Sequence, residues 1–243
     1  MDQTLGAAYS FGLDLGTHRS LMAVKAKGGT VEAIIPSNQE CRKGIPSLFW
    51  RTSESDGGRE LLCEQVALEQ GEVNDPEGVV RSVKTRLLEQ KPIVLHGRSY
   101  TPQDIAAKEV GHVYALSLSE AEERGIFETP KALTVGVPVR FGAAERTAIR
   151  SVLSKALPDM PIQLLPEPMA AAIYYAASAR QKTRYTLAFD MGAGTFDVCV
   201  LESVENDPRE PYPFRQLSHD GSREAGDLLD EKMEELILDK LRR

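Results

Sequence analysis

The sequence predicts an α/β protein. Three observations carry this. Near the start, Tyr9, Phe11, Leu13 and Leu15 alternate with Ser10, Gly12, Asp14 and Gly16, the period-two pattern of a strand. Between residues 101 and 179 lie three stretches with helix-start chemistry or helical spacing of apolar residues. The opening strand–turn–strand pattern then recurs after residue 185.

The elements follow in order. A second strand spans residues 20–26. Gly28 and Gly29 make a turn, and 31–35 return as a third strand, so the chain opens as an antiparallel meander. Residues 36–75 are mixed and turn-rich, with a solvated SESDGG loop at 53–58. Asp75-Pro76 is read as the start of a short helix carrying Val80, Val83, Lys84 and Leu87. Thr101 is a cap, Pro102 a first helical residue and Asp104 a dipole partner, which predicts a long helix to about Glu123. Residues 131–137 are a strand ended by Pro138. A helix from Ala143 carries Ile149, Val152 and Leu153, and 162–165 are a short buried strand. Pro168 opens an alanine-rich helix over 169–179, and the basic stretch 180–184 is a candidate boundary. Strands are predicted at 186–190, 195–202 and 214–217, with a loop at 206–213. A terminal helix from Asp227 carries Leu229, Met233, Leu236, Ile237 and Leu241 on one stripe. That helix reaches Arg243 without a Gly or Pro terminator, which reads as a chain cut rather than finished.

Composition narrows the classes of function. The 243 residues suit one large domain or two small ones. With 29 Lys+Arg against 36 Asp+Glu the net charge is −7, which argues against a nucleic-acid partner. No apolar run approaches the ~20 residues that cross a bilayer, and residues 1–10 lack a basic signal-peptide start. Cys41, Cys63 and Cys199 are widely spaced, with no CxxC, and read as reduced cytoplasmic thiols. None of the four histidines has metal-ligand spacing.

The chemistry lies in the repeated turn. GLDLGTHRSLMAV (12–24) aligns by eye with AFDMGAGTFDVCV (188–200), placing Asp14 on Asp190 and Gly16 on Gly192. Amides of a tight glycine turn converge into an anion nest, and small residues let a phosphate approach. A carboxylate just before each turn would repel a bare phosphate. It makes sense when Mg²⁺ sits between, held by a few carboxylates and phosphate oxygens. Thr17 and Thr195 add hydroxyl donors. One such turn alone is ordinary turn chemistry, and the repetition is what points to function. GxxxxGK[ST] is absent, and Asp197 stands where a dinucleotide fingerprint needs its third small residue.

FGLDLGT (11–17), VPVRFGAAER (137–146), EPMAAAIYY (167–175) and FDMGAGTFDVCV (189–200) resemble the seventy-kilodalton heat-shock chaperones of the DnaK type, in the family's order and at similar spacing over residues 9–230. The resemblance implies an actin-like ATPase of ribonuclease-H-like fold. Residues 1–184 would form lobe I, with an outer subdomain inserted at about 37–102, and residues 185–243 the start of lobe II. It implies ATP binding and hydrolysis coupled to binding of protein clients, together with co-chaperones. Asp14 and Asp190 would hold Mg²⁺ largely through water, with K⁺ in addition. Gly16, Thr17 and His18 would meet the phosphates of ATP or ADP on one side. Gly192, Ala193, Gly194 and Thr195 would meet them on the other. Asp197 matches a further active-site carboxylate, Glu167 a carboxylate that senses the metal shell, and Lys84 the lysine that orients the γ-phosphate and attacking water. Spacing alone would make Lys84 a solvated helix lysine. Pro138 and Arg146 match a proline switch and its arginine relay; by itself Arg146 reads as a helix surface charge.

Departures from the family pattern carry their own expectations. Thr17-His18-Arg19 replaces the usual turn. Ala193 replaces the middle glycine of the second turn, which would restrict φ. The segment between Lys84 and Leu133 is short, trimming the outer subdomain. Gln163 stands where many members carry an arginine for J-domain co-chaperones, and Ala225-Gly226 stands for a double glycine. The adenosine-clamping part of the family pattern falls beyond Arg243, so this chain is expected to bind ATP weakly and to self-associate, or to leave residues past about Glu202 mobile. The rival reading is a non-hydrolysing scaffold or regulatory fragment of an actin-like ATPase. GTFD and EPMAAA argue against a filament protein or a sugar kinase.

Overall fold

The computed structural model describes residues 9–36, 44–62, 67–178, 183–204 and 212–242. Cys41 and Cys63, most of the basic connector at 180–184 and most of the loop at 206–213 lie outside the described residues. The chain divides into two compact units, one of residues 1–135 and 143–164, the other of 136–142 and 165–243. The division falls inside two strands of one sheet, whereas the sequence placed a boundary at Arg184.

In the first unit, strands β1 (Tyr9–Asp14), β2 (Arg19–Ala26) and β3 (Val31–Ile34) form the expected antiparallel meander. A two-residue β4 (Ile45–Pro46) pairs with the start of β2. On the other edge of β1 runs β10 (Leu133–Val137), parallel, with Phe11 beside Leu133 and Leu13 beside Val135. Beyond it lies β11 (Ile162–Pro166), giving the order β11-β10-β1-β2-β3. Met22, Ile34, Leu133 and Val135 are sealed from water on this sheet.

Helix α2 (Pro102–Glu123) packs on β2 and β3 and on α3 (Ala143–Ala156). Its start is a full capping box: the Thr101 hydroxyl accepts the Asp104 amide at 3.0 Å, and Asp104 accepts the Thr101 amide at 3.3 Å. It ends at left-handed Gly125, with Ile126 N–H donating to Ala121 and Gly125 N–H to Glu122. The Arg124 guanidinium donates to the carbonyls of Ala33 and Ile35, tying this helix end to the β3 segment.

A small three-stranded sheet, β5 (Leu48–Arg51), β6 (Glu60–Leu62) and β7 (Val79–Arg81), follows β4, with the one-turn helix α1 (Glu72–Asn74) between β6 and β7. The sequence expected one short helix from Asp75 through Leu87. The structure has a 3₁₀ turn at Pro76–Gly78, then β7, then a second 3₁₀ turn at Val83–Arg86. Val79 and Val80 are β-branched and find Trp50 and Phe49 across the ladder, so strand pairing overrides the helical spacing. The hairpin β8 (Ile93–Leu95) and β9 (Arg98–Tyr100), not foreseen, turns on His96 and Gly97, both at positive φ. Its His96 ring and the Trp50 indole both bond Asp75 at 2.9 Å, which holds the hairpin on the small sheet.

The second unit is built on the antiparallel sheet β12 (Tyr185–Met191), β13 (Phe196–Ser203) and β14 (Phe214–Ser222). The last strand runs five residues past its predicted end. Helix α4 (Glu167–Ser178) covers one face, where Met169 and Ala172 pack with Cys199, Leu201 and Phe214. Burial pushes the Cys199 thiol up, and the Asp197 carboxylate adds to this. The opposite face of β12 shows Leu187, Phe189 and Met191 exposed at 55%, 66% and 57%. Helix α5 (Gly226–Leu241) likewise exposes Leu229, Met233, Leu236, Ile237 and Leu241, each by half or more. Among the described residues no helix is long and apolar enough to cross a membrane.

Two predictions follow from burial. Glu109 on α2 is sealed in the first unit, and desolvation alone pushes its carboxyl up to about 8. The native state therefore keeps a proton that the unfolded chain releases near pH 4.5, so stability falls as pH rises from about 4.5 to about 8. Melting scans across that range should show Glu109→Gln flat where the parent loses stability, roughly 2–4 °C for each kcal/mol; parallel curves would refute it. The apolar faces of β12 and α5 should drive concentration-dependent self-association. Light scattering should show it weakened at least severalfold by Phe189→Ser with Leu236→Glu, and a parent that stays monomeric at high concentration would exclude it.

Candidate functional site

The two halves of the repeat fold into the same object. Asp14 lies opposite Leu21 on β2, and Asp190 lies opposite Asp197 on β13, so each aspartate faces the residue seven positions on. In each case a short turn joins the two strands.

In the first unit, Asp14 is exposed at the end of β1, and Thr17 and His18 are half-buried. Gly16 needs no left-handed backbone; what it lacks is room, because a Cβ there would press into the Arg19 carbonyl oxygen. The turn is pinned from one side. The Ser47 amide donates to the His18 carbonyl at 2.8 Å, the Arg19 guanidinium donates to the Gly44 carbonyl at 3.0 Å, and the Ser20 and Ser47 hydroxyls bond at 2.9 Å.

In the second unit, the Gly192 amide closes the turn on the Thr195 carbonyl at 2.9 Å. The first amides of α5 hold it from outside: Gly226 donates to the Gly192 carbonyl at 3.1 Å and Asp227 to the Ala193 carbonyl at 2.9 Å. Gly226 is small for a reason, since a Cβ there would come 3.2 Å from Ala193 Cα. Ala193 does not lie in the left-handed region. Alanine therefore adopts the backbone seen here without left-handed strain. Gly194 is buried and Thr195 half-buried.

Asp197 is the most constrained group of the site. It is fully buried, on the same face of β13 as Cys199 and Leu201. Among the described residues neither carboxylate oxygen has a hydrogen bond. The Arg140 amide and the Thr195 hydroxyl lie near enough to favour its charge. Burial first, then the charges of Glu167 and Asp190, hold the carboxyl above its ordinary range. Glu167, half-buried, is the first residue of α4, where the helix dipole favours an anion.

Gly221 and Arg140 were not foreseen. Gly221 lies opposite Asp197 on β14, and a Cβ there would fall 2.6 Å from Arg140 Cδ and 3.0 Å from Asp197 Oδ1. The missing side chain lets residues 136–142, which carry buried Pro138, reach Asp197. A lone glycine inside a strand pattern is the signal that marks such an approach.

The structure thus gathers Asp190, Thr195, Asp197, Glu167 and the Pro138 segment in the second unit. Asp14, Gly16, Thr17, His18, Lys84 and Arg146 belong to the first. Lys84 is 8% exposed within the 3₁₀ turn, so the solvated-helix reading does not hold. Arg146 is half-buried on α3, not a free surface charge. Glu167 and Asp190 both lie within electrostatic range of the buried Asp197 carboxyl. Among the described residues no group of three or more His, Cys, Asp or Glu is placed to hold a metal ion.

Residues 76–206, more than half of the chain, match the family described as Hsp70 protein. The chain belongs to the Hsp70 family. A similar protein is the chaperone protein DnaK of Methanothermobacter thermautotrophicus, 29% identical over 194 residues, which are 79% of this chain and 30% of that protein. The chain thus spans about a third of the length of the relative it matches. The mixed α/β architecture agrees with the nucleotide-binding domain of the Hsp70 family. The matched stretch holds Lys84, Pro138, Arg146, Glu167 and the second turn, while the Asp14 turn precedes it.

The geometry of the first turn yields a paired test. Gly16→Ala drives a methyl into backbone and should cost roughly 1–3 kcal/mol. Gly12→Ala, whose methyl would meet the Thr134 carbonyl at an ordinary 3.8 Å, should stay within about 0.5 kcal/mol of the parent. Urea midpoints compare the two; equal losses would show that the turn has room to spare.

Proposed function

We propose that this chain is part of an ATP-binding and ATP-hydrolysing nucleotide-binding domain of a DnaK-like chaperone, in which nucleotide state is coupled to binding of protein clients. The observation that carries the reading is Asp197, a buried carboxylate with no hydrogen bond, beside Asp190 and Glu167 and at the foot of a small-residue turn. An unpaired buried charge is costly unless a partner arrives. A hydrated Mg²⁺ carried by a polyphosphate fits the donor set, because Mg²⁺ keeps several waters and carboxylates then bind it at one remove.

In this reading, bound Mg²⁺ supplies charge neutralisation on the phosphates, with K⁺ adding to it. The remaining work falls to the chain's own residues. Asp14 and Asp190 would hold the metal, largely through water. Gly16, Thr17 and His18 would receive phosphate oxygens, and so would Gly192, Ala193, Gly194 and Thr195. Lys84 orients the γ-phosphate and the attacking water. Glu167 would sense the metal shell, and Asp197 would stand as a further active-site carboxylate. Phosphoryl transfer asks mainly for this kind of positioning and charge balance. Pro138 and Arg146 pass the state of the site outward. The Pro138 segment lies against Asp197 through Arg140, which supports a short route from the acidic group to the switch.

The lobe assignment, with residues 1–184 as lobe I, an outer subdomain at about 37–102 and residues 185–243 as the opening of lobe II, belongs to the same proposal. So do a cytoplasmic location and interaction with clients and co-chaperones.

The deciding measurement is ADP titration by calorimetry with Mg²⁺ and with EDTA. Affinity should fall at least tenfold in EDTA, and Asp190→Asn should lose the same increment because it removes one of the metal-holding carboxylates. Equal affinity in both buffers would refute the carboxylate–metal reading. Nucleotide binding without any turnover would instead favour the non-hydrolysing scaffold.

A further inference from the structure

Ser82 has φ +56° and ψ +28°, in the left-handed region. That region suits glycine, and a residue with a Cβ stays there only when its surroundings hold it. Ser82 stands at a junction. Before it, β7 is fixed by its ladder to β5, with Arg81 beside Leu48. After it comes the 3₁₀ turn Val83–Arg86, with buried Lys84 in its second place. The backbone angles at residue 82 therefore set the direction in which this turn leaves the strand, and with it the aim of Lys84.

The turn is held by Thr85. Its amide donates to the Ser82 carbonyl at 3.0 Å, and its hydroxyl donates to the same oxygen at 2.8 Å. One carbonyl is thus gripped twice by one residue. The turn is also tethered downstream, where Gln103 Nε2 on α2 donates to the Leu87 carbonyl at 3.1 Å. The Thr85 side chain is exposed, so its hydroxyl serves no core packing. Three-residue turns of this kind bond poorly by backbone alone, and the second bond from a hydroxyl is what an isolated turn lacks.

We propose that Ser82 and Thr85 form a positioning clasp for Lys84: the left-handed serine turns the chain, and the threonine hydroxyl locks it there. The clasp rests on the role given to Lys84 in the proposed function. Neither residue touches the reacting atoms in this proposal; both act through the lysine.

The variants are Thr85→Val, which keeps shape and loses the hydroxyl, Thr85→Ser, which keeps the hydroxyl, and Ser82→Gly, which frees the left-handed backbone. Two readouts are taken on each folded variant. The first is the acylation rate of Lys84 by an amine-reactive ester, followed by mass spectrometry. The second is single-turnover ATP hydrolysis beside the Kd of Mg-ATP. Thr85→Val should raise Lys84 acylation about fivefold and lower turnover about tenfold with the Kd within twofold, since a positioning loss appears in the chemical step. Thr85→Ser should match the parent within twofold on both readouts. Ser82→Gly should raise Lys84 acylation, because the wider backbone freedom loosens the aim. Unchanged acylation and turnover in Thr85→Val would overturn the clasp, and so would a loss in Thr85→Ser equal to that in Thr85→Val. A parent without turnover whose Lys84 acylation still rises in Thr85→Val would keep the clasp and reject the ATPase reading.

Discussion

The second unit is arranged around a buried carboxylate, Asp197, whose oxygens have no hydrogen-bond partner among the described residues. Asp197 sits in the middle of a three-stranded sheet, flanked by Asp190 on one side and by Gly221 on the other. Two like charges directly across a strand pair oppose folding. They are tolerated because the rest of the strand leaves no alternative. A slip of one residue would carry Cys199 and Leu201 out of the α4 core and turn their neighbours inward. Apolar packing thus pins the register, and the register delivers the charge. Burial first, then the charges of Glu167 and Asp190, raise the proton affinity of Asp197, and burial with the Asp197 charge raises that of the Cys199 thiol.

The same division of labour holds at the two turns. Neither relies on left-handed glycine, because none of their residues has positive φ. Each relies on close approach instead. Gly16 abuts a carbonyl of its own turn, and Gly226 abuts the backbone of the second turn from the start of α5. Small residues appear where backbone meets backbone, and the turns are braced by amides and hydroxyls from segments far away in sequence. Left-handed backbone at residues other than glycine lies elsewhere among the described residues, at Ser82, His96 and Asp159; the Ser82 carbonyl accepts the Thr85 hydroxyl, and the His96 ring bonds Asp75.

The exposed apolar residues tell a complementary story. In the first unit β1 is covered on both edges, by β2 and by parallel β10, and its core is sealed. In the second unit, β12 repeats β1 in pattern and in register with its hairpin partner, yet its outer face shows phenylalanine, leucine and methionine to solvent. Equal local instructions therefore end in unequal burial, since burial depends on what lies across the face rather than on the strand itself.

By itself the sequence determined the α/β class, the opening meander, the capped helix from Pro102, the alanine-rich helix and the repeat of an aspartate before a small-residue turn. These depend on alternation, capping and local spacing, which neighbours along the chain specify. Tertiary structure alone decided that residues 79–81 are a strand and not part of a helix, because Phe49 and Trp50 across the ladder outweigh a weak helical spacing. It alone buried Lys84, which by local spacing reads as a solvated lysine, and it alone brought Arg140 and Gly221 to Asp197. Those facts rest on contacts between segments many residues apart, and the energy of such contacts, from burial, desolvation and close approach, has no signature in the local pattern of either segment.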